Sequence, residues 1–338
     1  MKYRKLGVSD LNVSAVALGT WAVGGGPWWG DSDDQESIRA IRAAIDAGVT
    51  LIDTAPVYGF GHSEKIVGRA IQGRRDKVVL ATKCGLWWDD ATGSIHFKQG
   101  NYTVRRCLEP RTLRIEVENS LRRLGTDRID LLQTHAQATE PFKTPIADTM
   151  ACLMDLREQG KIREIGVSNC TPAQMDEYRA AGVIVSNQPR YSILDRAIES
   201  DLLPYCRKHT LAVLAYSPLE QGLLTGKIGL DTTFAAEAFR NELPWFAPEK
   251  RQKVLNLLAG WSPLTQKYGC TLSQLVIAWT IAQPGLTVAL CGARKVANAI
   301  ENAGAGSIDL APEDVARMRR DAEAIAPLSA VQSERRSP

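Results

Sequence analysis

The chain has 338 residues, 44% of them hydrophobic and 23% charged, which excludes intrinsic disorder and a fibrous architecture and allows a sizeable core. Forty-one Lys and Arg against 38 Asp and Glu leave +3, with no long basic run. This excludes an electrostatic footprint for nucleic acid or an anionic membrane and makes a small molecule the expected partner.

The first residues, MKYRKLGVSDLNVSAVALG, lack the apolar core of a signal peptide, and no stretch reaches about 18 uninterrupted apolar residues. A cytoplasmic location is expected. Within residues 1 to 15, LGVSDLNVS predicts a short β-hairpin at the bottom of the fold. Short Val, Ile and Leu runs then predict eight buried strands, beginning near Val16 (VALG), Thr50 (TLID), Lys77 (KVVLATK), Arg128 (RIDLLQTH), Ile162 (IREIGVS), Val183 (VIVSN), Leu211 (LAVLAY) and Leu286 (LTVALCG). Between them, apolar residues returning every three or four positions predict helices over 33–48, 110–125, 144–160 and 171–182. Helical pieces are predicted over 249–282 and a last helix over 311–325. Thr171-Pro172 reads as an N-cap with proline at the first helical position, and Gly48, Gly125, Gly160 and Gly182 read as C-caps. Two connections, about 84–109 and 217–270, are long enough to expect function in them. The seven cysteines contain no Cys-x-x-Cys pair and read as reduced, mostly buried thiols.

Eight buried strands alternating with helices predict an α/β fold, a closed (β/α)₈ TIM barrel with an N-terminal β-hairpin and long loops after strands 3 and 7. One domain is expected over 1–338, with a core of about 3–325 and a flexible tail over 326–338. An open doubly wound sheet is the alternative. It would want G-x-G-x-x-G after the first strand, where the chain has TWAVGGGPWWGD; Gly24, Gly25 and Gly26 do not fit that fingerprint.

Active sites of such barrels gather at the C-terminal ends of the strands, which directs attention to Asp53, Lys83, His135, Ser168, Asn169, Gln188 and Tyr216. Tyr58 follows Asp53 by five residues, in DTAPVYG. Together these supply an acid, a cation, a carboxylate to hold the cation and an imidazole to orient a polar substrate. A free tyrosine titrates near about 10, and an adjacent ammonium favours the phenolate, so Lys83 is expected to lower the pKa of Tyr58. With four histidines and no HExxH or Cys/His cluster, no metal is expected.

DTAPVYGFGHSEKIVGRAI, VLATKCG, DRIDLLQTH, IREIGVSN, VLAYSPLEQGLLTGK and GARKVANAIEN, in that order, resemble the aldo-keto reductase superfamily from about residue 3 to about 325. The likeness is greatest to the branch holding bacterial sugar- and inositol-locus reductases and potassium-channel β-subunits. The resemblance implies a (β/α)₈ barrel and a tetrad of Asp53, Tyr58, Lys83 and His135, with Tyr58 as general acid. It implies reversible hydride transfer between NADP(H) and an aldehyde or ketone. It also implies cofactor contacts from Thr20, Trp21, Ser168, Asn169, Gln188 and Tyr216, and from the loop residues Ser217, Pro218, Leu219, Gln221, Gly222 and Lys227. An adenosine site would comprise Gly292, Arg294, Lys295, Asn298, Glu301 and Asn302. Adjacent cations at Arg294 and Lys295 suit a 2′-phosphate, so NADP(H) is expected over NAD(H). Cys291 and Asn298 depart from the family pattern and leave NAD(H) open. Trp21, Trp28, Trp29, Trp87 and Trp88 lie in the loops after the first and third strands and are expected to wall the substrate pocket. Two alternatives stand beside the reductase: an NAD-dependent polyol or sugar dehydrogenase, and a cofactor-sensing regulatory subunit. Either a monomer or a homo-oligomer fits the sequence.

Overall fold

Why the strands form is visible in their burial: a parallel sheet roofed by helices wants apolar residues on both faces. The computed structural model describes residues 1–327; most of the tail expected to be flexible, 328–338, lies outside them. Strands β1 (Tyr3–Lys5) and β2 (Asn12–Ser14) pair antiparallel as the expected hairpin. The first three predicted barrel strands are β3 (Val16–Gly19), β4 (Leu51–Asp53) and β5 (Val79–Cys84). After them the chain inserts a small antiparallel sheet, β6 (Leu86–Trp87), β7 (Ser94–Gln99) and β8 (Tyr102–Arg106), inside a connection expected to be loop. Strands β9 (Ile129–Thr134), β10 (Ile162–Ser168), β11 (Ser186–Gln188), β12 (Ala212–Tyr216) and β13 (Val288–Gly292) complete the set. The eight barrel strands pair parallel and close in the order β10-β11-β12-β13-β3-β4-β5-β9. The open-sheet alternative is thereby excluded.

The helices are α1 (Asp34–Asp46), α2 (His62–Ile71), α3 (Pro110–Leu124), α4 (Ile146–Glu158), α5 (Pro172–Ala181) and α6 (Leu202–Lys208). They continue with α7 (Pro248–Gly260), α8 (Ser262–Tyr268), α9 (Leu272–Ile281), α10 (Val296–Gly304) and α11 (Pro312–Glu323). Thr171 caps α5 in a reciprocal box with Gln174, as its sequence requires. Gly48, Gly125 and Gly160 take the left-handed conformation common at helix C-termini, whereas Gly182, the C-cap of α5, is extended at φ 169° with its amide donating to the Tyr178 carbonyl.

Inside the barrel, Ala17, Leu51, Val79, Ala81, Leu131, Val185, Ala212, Leu214, Val288 and Leu290 form one buried cluster with Leu6, Leu11 and Val13 of the hairpin. The hairpin therefore plugs the bottom, each large aliphatic contributing about 1.5–3 kcal/mol on leaving water. Six of the seven cysteines are buried, Cys270 is half-buried, and none forms a disulfide.

Glu116 on α3 is a buried carboxyl whose two oxygens both accept from the Gly85 amide at 3.1 Å. Burial pushes its pKa up to about 8 from 4.5. Because the folded value lies above the unfolded one, its contribution to stability is complete below about pH 4.5 and is lost as pH rises through about 8. Glu116→Gln, which cannot ionise, is therefore expected to lose less melting temperature than the parent between about pH 5 and pH 8. Equal losses in a thermal scan would mean that the carboxyl does not ionise at this cost.

Candidate active site

Side chains alternate along a strand, so those two residues beyond an interior position also point inside. In β5, Val79 and Ala81 belong to the interior cluster, and the next inward residue is Lys83 at the C-terminal mouth. The same step leads from Leu51 to Asp53 on β4, from Leu131 to Gln133 on β9 and from Leu214 to Tyr216 on β12. Ser168 and Gln188 lie side by side in the β10–β11 register.

Tyr58 reaches this mouth from the turn after β4. Its amide donates to the Ala55 carbonyl at 3.2 Å. Gly24 and Gly59 meet there backbone to backbone: a Cβ on Gly24 would stand 2.6 Å from the Tyr58 carbonyl carbon, and one on Gly59 only 2.3 Å from the Gly24 oxygen. The glycine run that fits no dinucleotide fingerprint thus has a local task at Gly24, letting the Tyr58 turn settle over the barrel.

Lys83 is buried, and its ammonium has three acceptors: Asp53 Oδ1 at 2.5 Å, the Thr54 carbonyl at 3.0 Å and Tyr58 Oη at 3.2 Å. Since an ammonium can only donate, Tyr58 Oη accepts from it and keeps its own hydrogen for another partner. The second Asp53 oxygen accepts from Gln133 Nε2 at 3.0 Å and Gln188 Nε2 at 2.8 Å. Burial alone would lower the Lys83 pKa, but Asp53 and then Tyr58 outweigh it and leave it raised. For Tyr58 the result departs from expectation. Burial pushes the phenol above its usual range, and the opposing pull of Lys83 is the smaller effect. Burial, then the Lys83 charge, holds His135 well below the usual imidazole value, so its ring is neutral at pH 7. Its ring stands edge-on to Tyr58, with centroids 5.8 Å apart.

A cleft of about 630 Å³ opens over this group and continues along β10, β12 and β13 to the start of α10. Every residue expected to contact a cofactor lines it: Thr20, Trp21, Ser168, Asn169, Gln188, Tyr216, Ser217, Pro218, Leu219, Gln221, Gly222, Lys227, Gly292, Arg294, Lys295, Asn298, Glu301 and Asn302. Asp53, Tyr58 and His135 line it as well, while Lys83 lies behind Tyr58. Tyr216 Oη donates to Asn169 Oδ1 at 3.1 Å, and Ser168 Oγ donates to the Gln188 carbonyl at 2.7 Å. Asn169, Ser217, Glu220 and Gln221 have positive φ, so the strained backbone concentrates along this wall. Among the described residues, buried polar atoms of the wall, Trp29 Nε1 and Gln221 Oε1 among them, have no hydrogen-bond partner. A long groove with unspent donors and acceptors fits a dinucleotide.

Trp21, Trp28 and Trp29 do wall the mouth, with Trp21 5.1 Å from Trp29 and 6.0 Å from Trp28 between ring centroids. Trp87 and Trp88 do not. Trp87 is buried with its indole N–H donating to Asp90 Oδ1 at 2.7 Å, and Trp88 packs edge-on to Phe60. Their places are taken by Phe97 from the inserted sheet, 5.0 Å from Trp28, and Phe239 from the connection after β12, 5.3 Å from Trp21. Sequence reasoning also missed Gln133 and Arg240. Arg240 lines the cleft, donates to the Gln221 carbonyl at 2.9 Å and lies over the Trp29 ring.

The Aldo/keto reductase family model matches residues 15–322. An NADH-specific methylglyoxal reductase of Escherichia coli (strain K12) is 45% identical over 327 residues, covering 96% of this chain and 99% of that one. Among solved structures, a glycerol dehydrogenase from Gluconobacter oxydans superposes with a TM-score of 0.86 at 38% identity, covering 99% of each chain. An aldo-keto reductase from Klebsiella pneumoniae in complex with NADPH gives a TM-score of 0.71 at 29% identity over 97% of this chain and 96% of that one. With a closed eight-stranded barrel, strand-end side chains gathered at its mouth and a family match over nearly its whole length, the chain belongs to the aldo/keto reductase family.

Proposed function

We propose that this chain reduces a small, uncharged aldehyde or ketone to its alcohol, with Tyr58 as the proton donor and NAD(P)H in the long groove. The observation that carries this reading is the Lys83 ammonium at 3.2 Å from Tyr58 Oη. That contact orients the phenol with its hydrogen toward the cleft and steadies the phenolate left when the proton departs. The bound cofactor supplies hydride to the carbonyl carbon. Tyr58 gives its proton to the carbonyl oxygen. Neutral His135 offers an N–H to the same oxygen and so fixes which face of the carbonyl is presented.

Gln188 spends its amide hydrogens on Asp53 and Gln133, which leaves its oxygen as the acceptor for a carboxamide N–H. Ser168 and Asn169 complete that end of the groove, and Tyr216 offers a ring face. The compact box of Trp21, Trp28 and Phe239 favours a small substrate, in keeping with the 45% identity to a methylglyoxal reductase. The likeness to a glycerol dehydrogenase favours the same groups working in reverse on a small polyol. The adjacent cations Arg294 and Lys295 are the ground for expecting NADP(H). The E. coli relative is named for NADH, and the Klebsiella structure holds NADPH.

The purified protein, given NADH or NADPH with a panel of 2-oxoaldehydes, aldoses and cyclic ketones, is expected to oxidise the cofactor with the smallest carbonyls. The rate should hold through the pH range in which an ordinary histidine titrates, about 6–7, because His135 is already neutral and Tyr58 still protonated. No turnover with any carbonyl overturns the reading, and a rate that needs a charged imidazole overturns the role of His135.

A further inference from the structure

The start of α10 is where the resemblance puts the adenosine end of the cofactor, and a helix N-terminus there is a ready place for a phosphate. In this chain the place is already taken. The Val296 amide, first in α10, donates to Glu36 Oε1 at 3.2 Å. Glu36 belongs to the first turn of α1, and its other oxygen is held by Arg39 through Nη2 at 2.6 Å and Nε at 3.1 Å. A fixed carboxylate thus bridges two helices and lines the cleft beside Lys295 and Asn298.

Of the two cations expected to grip a 2′-phosphate, Lys295 is exposed and Arg294 is already engaged by the protein. The Arg294 guanidinium donates through Nη1 to the backbone carbonyls of Trp29 at 3.2 Å and Asp31 at 3.0 Å, which ties it to the β3–α1 connection. Lys227 is paired with Glu301 at 2.7 Å. Asp31, Asp33 and Glu36 all line this corner. A second anion would meet a carboxylate where it needs donors, whereas a ribose diol would find an acceptor for its hydroxyl hydrogens.

We propose that Glu36 sets cofactor preference, its carboxylate at the head of α10 disfavouring the 2′-phosphate of NADPH and favouring the free ribose diol of NADH. This rests on the reading that the groove holds a nicotinamide dinucleotide. The test is binding without substrate, by quenching of tryptophan fluorescence on titration with NADH and with NADPH. Wild type is expected to bind NADH more tightly. Glu36→Gln removes the charge but keeps an oxygen for the Val296 amide, and is expected to tighten NADPH by about tenfold while NADH stays level or weakens. Glu36→Ala, a second variant with the charge and the acceptor both removed, should move NADPH in the same direction, and unfolding midpoints check that α1 and α10 still dock. Raising salt should shrink the wild-type discrimination. NADPH affinity unmoved by both variants, or both cofactors gaining equally, overturns the role of Glu36 and leaves the groove assignment standing. Failure of wild type to bind either cofactor overturns the groove assignment and the proposal with it.

Discussion

Tyr58→Phe is expected to lower turnover by about 10²–10⁴-fold while leaving cofactor affinity near that of the parent. The substitution removes Oη and keeps the ring. That ring lies 6.4 Å from Trp21 and 5.8 Å from His135 by centroid, and the Gly24–Gly59 contact that seats the turn involves backbone alone. Lys83 loses one of three acceptors but retains Asp53 and the Thr54 carbonyl, so its charge stays compensated. The loss should therefore fall on kcat. Fluorescence titration measures the affinity and steady-state rates the turnover. Near-parental turnover would remove Tyr58 from the chemistry, and a parallel collapse of cofactor binding would make its role structural.

Much of this was legible because a barrel converts strand ends into one place. Asp53, Lys83 and His135 are far apart in sequence, yet each ends or follows a short buried strand, and closure of the sheet brings them together. Strand boundaries were less legible. Lys77 and Val78 fall out of the predicted third strand because Arg75–Lys77 forms a 3₁₀ turn, and β11 begins only at Ser186. Helix α2 was missed although Ile66, Val67, Ala70 and Ile71 recur with helical spacing, since the glycines before it read as loop. The inserted sheet was missed despite a turn at Gln99-Gly100-Asn101, because pairing between Ser94–Gln99 and Tyr102–Arg106 involves residues of mixed exposure rather than a buried run.

Tryptophan density said which loops were aromatic and not which side of a loop faces the mouth. Asp90, three residues on, turns Trp87 away by hydrogen bonding its indole. Phe239 and Arg240 carry no local signal at all, since only the path of the chain after β12 sets them over the cleft. The sign of the Tyr58 shift was misjudged for a related reason. Adjacency to lysine is readable in a motif, but the depth of burial that outweighs it belongs to the folded molecule.

Lys83→Met is expected to abolish most turnover and to cost about 3–5 kcal/mol of stability, because it strands the Asp53 carboxylate in the barrel mouth without its counter-charge. The amide donors of Gln133 and Gln188 remain on Asp53 Oδ2 but supply no charge. The reciprocal Asp53→Asn faces a different conflict. Its oxygen must turn toward those two amides, which leaves its own N–H₂ against the Lys83 ammonium, donor against donor. Since the folded Lys83 pKa is raised, the contribution of the pair is complete below about 10.5 and is lost only as pH climbs through the folded value, so the penalty should be constant across neutral pH. Combining Asp53→Asn with Lys83→Met removes both charges at once and is expected to recover part of the lost stability, as buried pairs do when deleted together, with no recovery of turnover. Urea unfolding midpoints and kcat measured on the three variants separate the two quantities. A double variant no more stable than Lys83→Met would mean that the stranded charge is not the source of the cost, and one that regained turnover would show that Tyr58 works without the ammonium behind it.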